Sequence, residues 1–492
     1  MKNKKSTTPE SVANKKIKNT ERFPIGVIFL KLGILIFLLF CGLAYSDSKG
    51  FFNPDNKNNH TKKKWDAFYD FSVKNPVDVL LIGNSHLYTG INPKNLSSSL
   101  GCNAFILASP GTTVIDQYYS LKEAIQINKP KLVVIETYGL KKIKPYSMEG
   151  GALTDQFKSF NARKHLSTKL TSTVDLFAPK NYFYAWSNTI RNHDFLYKDF
   201  KQIEKNIDIS KKKVKKKKKL YLGRYVRFKT GLEKNVLQKY QNEGAPVDGD
   251  NYEVNDVLGE YVQKTIDLCK ENNIELMFLT LPMYKEHVDN YGLWRSDLAS
   301  VLGDYSSDNN WLDLQVKENY EGFTEGSFEN TYKSNQHMTY GGSLIATYKL
   351  VDFINENKKE VLPIRSQDKS WRKLFYGEEG FFENNTPGTK DKKNISLYEG
   401  DENTIVEEIL LLKSDKYYSL LAKIHPENAD QFDQLVQRKF AVSLSVKNKN
   451  GAIENVWVNL QVDVYHSCKE RICFLNRLKP LDVVKVNEIK LI

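Results

Sequence analysis

The amino-acid sequence predicts an α/β domain on a parallel sheet, preceded by a membrane-spanning helix and followed by an all-β sandwich domain. An apolar run occupies residues 25–45, and short apolar runs alternate with helical spacing between residues 77 and 356. From about residue 399 apolar and polar residues alternate with period two. Strands separated by helices are typical of parallel β/α units, and period-two alternation is typical of half-buried strands. The 492-residue chain is long enough for at least two domains.

The N-terminal segment has the features of a membrane anchor. Residues 1–22 form a basic tail, and residues 23–46 are apolar with Lys31 as their one charged side chain. About 20 apolar residues span a bilayer, and a lysine near one end can extend its amine to the headgroups. The basic flank favours a cytoplasmic N-terminus. We therefore expect a single-pass protein of the inner (cytoplasmic) membrane, with most of the chain periplasmic or at the cell surface.

Two other interpretations of this segment stay open. Residues 32–45 also suit the apolar core of a signal peptide, and residues 44–46 offer small side chains for cleavage. Cleavage of a lipoprotein before Cys41 is disfavoured because Phe40, directly before it, is bulky. All of these interpretations place most of the chain outside the cytoplasm.

The pattern along the rest of the chain predicts the following organisation. Residues 47–76 are polar and lysine-rich and are expected to form a stalk, and the α/β domain follows over 77–356. Its strands are expected at 77–82, 103–107, 131–136, 274–281 and 311–314, and its clearest helices at 114–128, 254–273 and 340–355. A long insertion at 141–250 is expected to form helical or irregular cover, and 357–398 a linker.

The last domain, 399–492, is expected to be a β-sandwich. Its strands are expected at 417–424, 440–446, 456–465 and 483–491. The dipeptide Asn450-Gly451 lies between two of them and is a strong signal for a β-hairpin.

Charge and cysteine content narrow the partners. The formal net charge is +13, and residues 211–219 hold eight lysines in nine positions. This run is either a solvated loop or a contact to anionic lipid or glycan. We expect no nucleic-acid partner, because the run has no interleaved aromatic residues and is predicted to lie outside the cytoplasm. We expect no metal or other cofactor, because the cysteines form neither a CxxC pair nor a Cys/His cluster.

The candidate nucleophile is Ser85, in the sequence VDVLLIGNSHLYTG that starts at residue 77. It follows the first strand, and ligands of open α/β sheets bind at the carboxyl ends of the strands. An acyl-transfer site needs an activated serine and fixed N–H donors for the oxyanion. The amides of Ser85 and Gly111 are the candidate donors, and His337, before the last helix of the domain, is the candidate base. His86 is expected to pack or to contact substrate.

These blocks resemble the SGNH/GDSL hydrolase superfamily. Gly83-Asn84-Ser85-His86 is similar to its first block, Gly111 in LASPG to its second, and His337 in NQHMTYGG to its last. The resemblance is strongest to the membrane-anchored, extracytoplasmic branch that includes polysaccharide O-acetylation and teichoic-acid D-alanyl transfer proteins. It implies a flavodoxin-like three-layer core, a serine nucleophile, a histidine base and ester chemistry on a surface polymer.

The chain departs from the family pattern at two places. The third block, Gly-x-Asn-Asp, is replaced by Val-Ile-Glu-Thr-Tyr at residues 134–138, and no aspartate precedes His337 by three residues. Asn84, Asn335 and Thr137 are the residues that could support the site instead. A carboxylate from elsewhere would have to orient the imidazole, and the candidates are Asp313, Glu325 and Glu329.

The sequence therefore predicts an extracytoplasmic serine esterase or O-acyltransferase that acts on a cell-surface polysaccharide or other acylated glycan through Ser85 and His337. A membrane acyl exporter could supply the acyl group, as the resemblance implies. The alternative is a catalytically degenerate SGNH-like envelope protein that binds glycan or assists polysaccharide assembly.

Overall fold

The computed structural model describes most of the chain between residues 25 and 491. The described ranges are 25–53, 59–140, 150–211, 222–224, 234–243, 256–284, 291–330, 337–362, 394–399, 406–413, 418–424, 440–447, 450–459, 461–462, 472–478 and 482–491. The lysine run at 212–219 and Asn335 lie outside them.

The secondary structure consists of helices in the first three quarters of the chain, interleaved with five strands. The described residues from 394 onward form strands and the turn at 450–452. The helices are α1 (Ile25–Lys49), α2 (His60–Ser72), α3 (Ser85–Gly90), α4 (Pro93–Leu100), α5 (Val114–Ile125), α6 (Gly150–Ala162), α7 (Leu166–Leu176), α8 (Tyr182–Trp186), α9 (Asn188–Arg191), α10 (Phe195–Lys198), α11 (Phe200–Lys211), α12 (Lys234–Glu243), α13 (Asp256–Glu271), α14 (Tyr291–Leu302), α15 (Lys317–Tyr320) and α16 (Tyr340–Asn357). The strands are β1 (Val79–Gly83), β2 (Ala104–Ala108), β3 (Leu132–Glu136), β4 (Glu275–Thr280), β5 (Trp311–Asp313), β6 (Asn394–Glu399), β7 (Val406–Lys413), β8 (Tyr418–Ile424), β9 (Phe440–Lys447), β10 (Ile453–Asn459), β11 (Gln461–Val462), β12 (Ile472–Leu478) and β13 (Asp482–Leu491).

The chain divides into two compact units. The first unit combines residues 1–56 with 187–214, and the second combines 57–186 with 215–492. In the first unit, α1 is long and apolar enough to cross a membrane, and none of its residues is buried. Residues 187–211, which lie within the predicted insertion at 141–250, belong to this first unit together with the chain that follows α1.

The second unit contains the predicted parallel sheet. Its strand order is β2-β1-β3-β4-β5, and all of the pairings are parallel. Alternate residues of β1 enter different apolar clusters: Leu80 and Ile82 join side chains of α2, α5 and α13, and Val79 and Leu81 join those of α4 and α16. Both faces of the sheet are therefore covered, which explains why its strands read as unbroken apolar runs. The α/β class and the five strands are confirmed.

The predicted stalk is wrong over residues 60–72. These residues form α2, whose Trp65, Phe68 and Phe71 are buried in the main apolar cluster. Three consecutive lysines precede Trp65 and conceal the helical spacing of the aromatic side chains.

The outer edge of the sheet is covered by a short segment. The N–H of Ile106, in edge strand β2, donates to the carbonyl of Leu222 at 3.0 Å. Gly223, next in this segment, has φ +89°, and a Cβ there would lie 1.8 Å from the Ile106 oxygen. Only glycine fits at position 223, because any other side chain would collide with the backbone of β2.

The C-terminal region is antiparallel. Its strands form a three-stranded sheet of order β10-β9-β13 and a five-stranded sheet of order β11-β12-β8-β7-β6. The hairpin predicted at Asn450-Gly451 is confirmed, since β9 and β10 pair on either side of it and Gly451 has φ +82°. The predicted linker is too long, because β6 begins at Asn394.

Candidate active site

Ser85 lies in a tight turn at the carboxyl end of β1. Gly83 ends the strand, and the side chain of Asn84 caps α3 by accepting the N–H of His86 at 2.8 Å. Ser85 is the first residue of α3 and is 9% exposed. An N–H at the first helical position has no acceptor within the helix, so the Ser85 amide is available to a ligand. This strand, turn and short helix place Ser85 at the carboxyl end of the sheet, where the sequence predicts it.

Glu136, the last residue of β3, holds this turn in place. Its buried carboxylate accepts the N–H of Asn84 at 3.4 Å through Oε2 and the N–H of Tyr138 at 2.7 Å through Oε1. A Cβ on Gly83 would lie 2.6 Å from the Cβ of Glu136 and 2.9 Å from Leu87 Cδ2. The glycine is therefore needed because the glutamate packs directly against the turn. In the sequence Glu136 is visible only as a departure from the family pattern, and its contacts with the serine turn leave no signal there.

His337 and Glu329 lie side by side on a short antiparallel pairing that follows β5. The N–H of Glu329 donates to the His337 carbonyl at 2.9 Å, and Phe328 and Met338 form a β-bridge. Between the side chains, His337 Nδ1 is 3.7 Å from Glu329 Oε2, and Glu329 is buried. A carboxylate thus lies on the Nδ1 side of the imidazole, although it comes from eight residues before the histidine instead of three.

The other two candidate carboxylates lie elsewhere. Asp313 accepts from Arg295 Nε at 2.8 Å and from the N–H of Gln315 at 3.0 Å. Glu325 is exposed in a short 3₁₀ turn. Of the three carboxylates, Glu329 is the one that an ion-pair contact joins to His337.

Aromatic contacts bring the histidine segment to the serine turn. The ring of His86, next to Ser85, stacks on Tyr138 with centroids 3.9 Å apart and an interplanar angle of 21°. The His337 ring lies 5.4 Å from the His86 ring, centroid to centroid. Chain segments separated by about half the sequence therefore meet at the carboxyl ends of β1 and β3. The packing of His86 agrees with its expected role.

The predicted hydrogen bond between Ser85 and His337 is not formed. His337 Nε2 is buried and has no hydrogen-bond partner among the described residues, so Ser85 Oγ is not bonded to it. Catalytic hydrogen bonds are often long in sites without substrate and shorten when substrate binds. Nε2, the atom of His337 that would accept the serine proton, thus has no hydrogen bond to a described residue.

The loop that carries Gly111 is joined to the end of β1. The N–H of Ser109 donates to the carbonyl of Gly83 at 3.2 Å, and the Thr113 side chain caps α5 by accepting the N–H of Asp116. Gly111 has φ +63°, a conformation that glycine adopts without strain. These contacts fix the loop that contains Gly111 next to the serine turn.

The remaining supporting residues have other partners or are not described. The hydroxyl of Thr137 lies 2.7 Å from that of Thr280, which also accepts from Trp311 Nε1 at 2.9 Å. Thr137 therefore connects the ends of neighbouring strands. The Asn84 side-chain oxygen is engaged in the cap of α3. Asn335 falls outside the described residues.

Lys64 of α2 is a buried lysine close to the serine turn, and no sequence pattern pointed to it. Its Nζ donates to the Ala108 carbonyl at 2.6 Å, at the end of β2, and lies 3.3 Å from the centroid of the Tyr88 ring in α3. Burial lowers the pKa of the Lys64 amine well below its ordinary value. Lys64 thus links the end of β2 to the helix that begins with Ser85.

No group of three or more histidine, cysteine, aspartate or glutamate residues is arranged to hold a metal ion within the part of the chain that the structure describes. No protein-family model matches the chain, and no curated protein matches it. The proposed chemistry therefore rests on the arrangement of side chains at the carboxyl ends of β1 and β3.

Proposed function

We propose that the protein is an extracytoplasmic serine esterase or O-acyltransferase that acts on a cell-surface polysaccharide. The observation that carries the proposal is the position of His337. Its imidazole lies against the His86 ring beside Ser85, with Glu329 on the Nδ1 side, and its Nε2 has no partner in the part of the chain that the structure describes. A serine, a histidine and a carboxylate in this order form the constellation used for acyl transfer on several unrelated folds.

The fold supports the same assignment. The order β2-β1-β3-β4-β5 is that of flavodoxin-like sheets, in which the strand order reverses between β1 and β3. Ligands of such sheets bind in the crevice at that reversal. Ser85 follows β1, and Glu136 ends β3. The proposed architecture is the three-layer core of the SGNH/GDSL superfamily, followed by a sandwich made from the two antiparallel sheets.

In the proposed mechanism, Ser85 Oγ attacks the carbonyl carbon of an acyl ester while His337 Nε2 accepts the hydroxyl proton. The ester C–O bond breaks, and the leaving alcohol takes this proton from the imidazolium. An acyl group then remains on Ser85 Oγ. Water or a sugar hydroxyl next gives its proton to His337 and attacks the acyl carbon, and Ser85 recovers its proton as the acyl group departs. Water as the acceptor makes the protein an esterase, and a sugar hydroxyl makes it a transferase.

Glu329 and the loop amides have defined roles in this mechanism. The Glu329 carboxylate stabilises the imidazolium that forms when His337 accepts the proton. The N–H groups of Ser85 and Gly111 are the proposed donors to the oxyanion. Glu136 is a positioning residue. It accepts the N–H of Asn84 in the serine turn, and the proposed mechanism gives it no contact with substrate.

Membrane attachment through α1 is part of the proposal. Thr189 Oγ1 lies 2.9 Å from Ser46 Oγ and 2.8 Å from Asp47 Oδ1, and the N–H of Thr189 also donates to Asp47. Residues 44–46 are the candidate cleavage site for a signal peptidase. Because Ser46 is engaged in folded structure, we favour a retained anchor over a cleaved signal. A membrane acyl exporter remains the proposed acyl source if the protein is a transferase.

A second function is favoured by one observation. Since His337 Nε2 has no hydrogen-bond partner among the described residues, the serine is not activated in this conformation. A degenerate envelope protein that binds glycan, or assists polysaccharide assembly, without turnover would show the same geometry.

Labelling of the full chain in detergent micelles with a fluorophosphonate probe tests the first function against the second. We expect labelling of the native chain, loss of labelling in Ser85→Ala and strong reduction in His337→Ala. Ser300→Ala and His193→Ala, on exposed residues, serve as controls and should label normally. Labelling that persists in Ser85→Ala overturns the assignment of the nucleophile. An unlabelled, folded chain that still binds glycan supports the second function.

A further inference from the structure

The segment that packs beside the end of α1 carries exposed apolar side chains. Leu196 and Tyr197 of α10 and Phe200 of α11 are 56%, 70% and 52% exposed, and together they are called the exposed apolar surface. Three large apolar side chains within five residues, all facing solvent, are unusual for a folded segment and mark an interaction site.

This surface belongs to elements that are firmly packed on their other side. Ile203 and Asn206 of α11 are buried. Asn206 Nδ2 donates to the carbonyls of Phe51 and Asn53, both at 2.8 Å, and Asn192 Nδ2 donates to that of Phe52 at 2.9 Å. The segment is thus attached to the chain that leaves α1, and its apolar side chains are left outside this contact.

The length of α1 sets the height of this segment relative to the bilayer. At about 1.5 Å per residue, the apolar part of the helix, residues 25–45, is about 31 Å long, which matches a hydrocarbon core of about 30 Å. Ser46 and Asp47 would then lie in the headgroup layer, within a few ångströms of the hydrocarbon. Thr189 of α9 is hydrogen-bonded to both of them. The segment from α9 to α11 therefore begins at the membrane surface.

The chemistry of the surface suits this location. Tyrosine and other aromatic side chains are enriched at the boundary between headgroups and acyl chains, where a ring is apolar and a hydroxyl reaches water. Exposed Lys201, next to Phe200, can reach the headgroup phosphates with its amine, whereas Lys198 Nζ lies 3.2 Å from Asp194 Oδ2. Acidic Asp194 and Asp199 lie in the same segment, so apolar contact rather than net charge would dominate the binding.

We propose that Leu196, Tyr197 and Phe200 insert into the outer interfacial layer of the membrane that α1 spans, as a second contact with lipid. This inference rests on the membrane anchoring proposed above and is independent of the chemistry at Ser85. The contact would fix the orientation of the segment on the bilayer, which α1 alone does not.

Photocrosslinking of the full chain, reconstituted in vesicles of phosphatidylcholine and phosphatidylglycerol, tests the proposal. The photoreactive amino acid p-benzoylphenylalanine replaces Tyr197 or Phe200 in separate variants, which preserves an aromatic ring at each site. Phe37 within α1 serves as the lipid-facing control, and Ile453, exposed on β10, as the water-facing control. We expect a mass increase of one phospholipid at positions 37, 197 and 200 and none at position 453.

Each other outcome overturns the inference. Crosslinks from positions 197 and 200 to a second copy of the chain would identify a protein contact in place of lipid. Absence of any adduct at both positions, while position 37 labels, would show that α1 is in the bilayer and the exposed apolar surface is not. Absence of a lipid adduct at position 37 would refute the anchor, and with it this second contact.

Discussion

The two ends of the parallel sheet both bury polar side chains, but they use them differently. At the amino end, Asp78 accepts the N–H of Asn103 at 2.9 Å, and Asn103 Nδ2 donates to the Pro76 carbonyl at 2.7 Å. Lys358 Nζ there donates to Glu275 Oε1 at 2.5 Å. At the carboxyl end Glu136 is satisfied in the same way. Each end also leaves one buried side-chain atom without a partner among the described residues: the amide oxygen Oδ1 of Asn103 at the amino end, and the imidazole nitrogen Nε2 of His337 at the carboxyl end.

A buried polar atom without a partner costs about 1–3 kcal/mol, so proteins retain few of them. The two atoms differ in chemistry, because an imidazole can act as a general base and a side-chain amide cannot. The imidazole lies at the end of the sheet where ligands of such folds bind, beside the serine turn, as the proposed function requires. Substitutions at both ends of the sheet test this contrast, beginning with the largest expected effect.

Glu329→Gln should lower kcat for an aryl acetate by about 10²–10⁴, because the neutral amide no longer stabilises the imidazolium of His337. The measurement is hydrolysis by the full chain over a range of pH. Glu325→Gln, which changes an exposed carboxylate in the same segment, should leave kcat unchanged. Equal kcat values for the two variants would show that Glu329 has no part in the chemistry.

Gly83→Ala should destabilise the α/β domain by about 2–3 kcal/mol, because the new Cβ meets Glu136 Cβ at 2.6 Å and Leu87 Cδ2 at 2.9 Å. Chemical denaturation followed by circular dichroism measures the change. Gly259→Ala in α13, where no atom lies within 4 Å of the added Cβ, is the matched control. It should stabilise the domain by about 0.5–1 kcal/mol. A stable Gly83→Ala chain would contradict the close packing of Glu136 on the serine turn.

Glu136→Gln and Asp78→Asn compare the two ends of the sheet directly. Each replaces a buried acceptor of a backbone N–H, and each should lower the free energy of unfolding by about 1–2 kcal/mol. Only Glu136→Gln should also lower kcat, since it loosens the turn that carries Ser85. Titration of both variants with denaturant and assay of both with aryl acetate decide the matter. A matched loss of kcat in Asp78→Asn would mean that general loosening of the sheet explains the effect.

Lys64→Met should remove one source of pH dependence from the stability. Since burial lowers the pKa of Lys64 in the folded chain, the unfolded chain binds more protons between this lowered pKa and the ordinary value of 10.5. The free energy of unfolding therefore rises with pH in that window. Below the lowered pKa the cost of burying the charged amine is fully present, and Lys64 no longer makes the stability depend on pH. The variant should show a flatter rise towards pH 10 and, near neutral pH, a stability equal to the native chain or higher by about 1 kcal/mol.

The control for Lys64→Met is Lys62→Met. Lys62 forms an exposed pair with Asp66 at 2.7 Å, and loss of such a pair changes stability by less than about 0.5 kcal/mol. Denaturation of both variants at several pH values gives the comparison. An identical pH dependence in the native chain and in Lys64→Met would show that burial does not lower the pKa of Lys64.

The sequence predicted the sheet well because strands buried on both faces leave a clear pattern. The runs at 131–136 and 274–281 lie within two residues of β3 and β4, and the final helix was expected at 340–355 against Tyr340–Asn357 in the structure. Unbroken apolar runs of four to eight residues between helical stretches are typical of strands in a covered parallel sheet.

The site was only partly accessible from the sequence. Ser85 and His337 could be chosen because the sequence pattern shows where strands end and helices begin. The roles of Glu136, Glu329 and Lys64 depend on which polar side chains meet across the fold, and isolated polar residues leave no periodic signal. The contact of Thr189 with Asp47 is of the same kind, and it joins part of the predicted insertion to the chain that follows α1.

The segment at residues 222–224 affects the tendency of the protein to aggregate at high concentration. A strand at the border of a sheet exposes a row of unpaired donors and acceptors, and two such borders from different molecules can join and seed aggregates. Leu222 occupies the Ile106 donor of β2, and Gly223 lets the chain approach closely enough to do so. A glycine at position 223 thus keeps one donor of the β2 border from pairing with another copy, and a methyl group there would push the covering segment away.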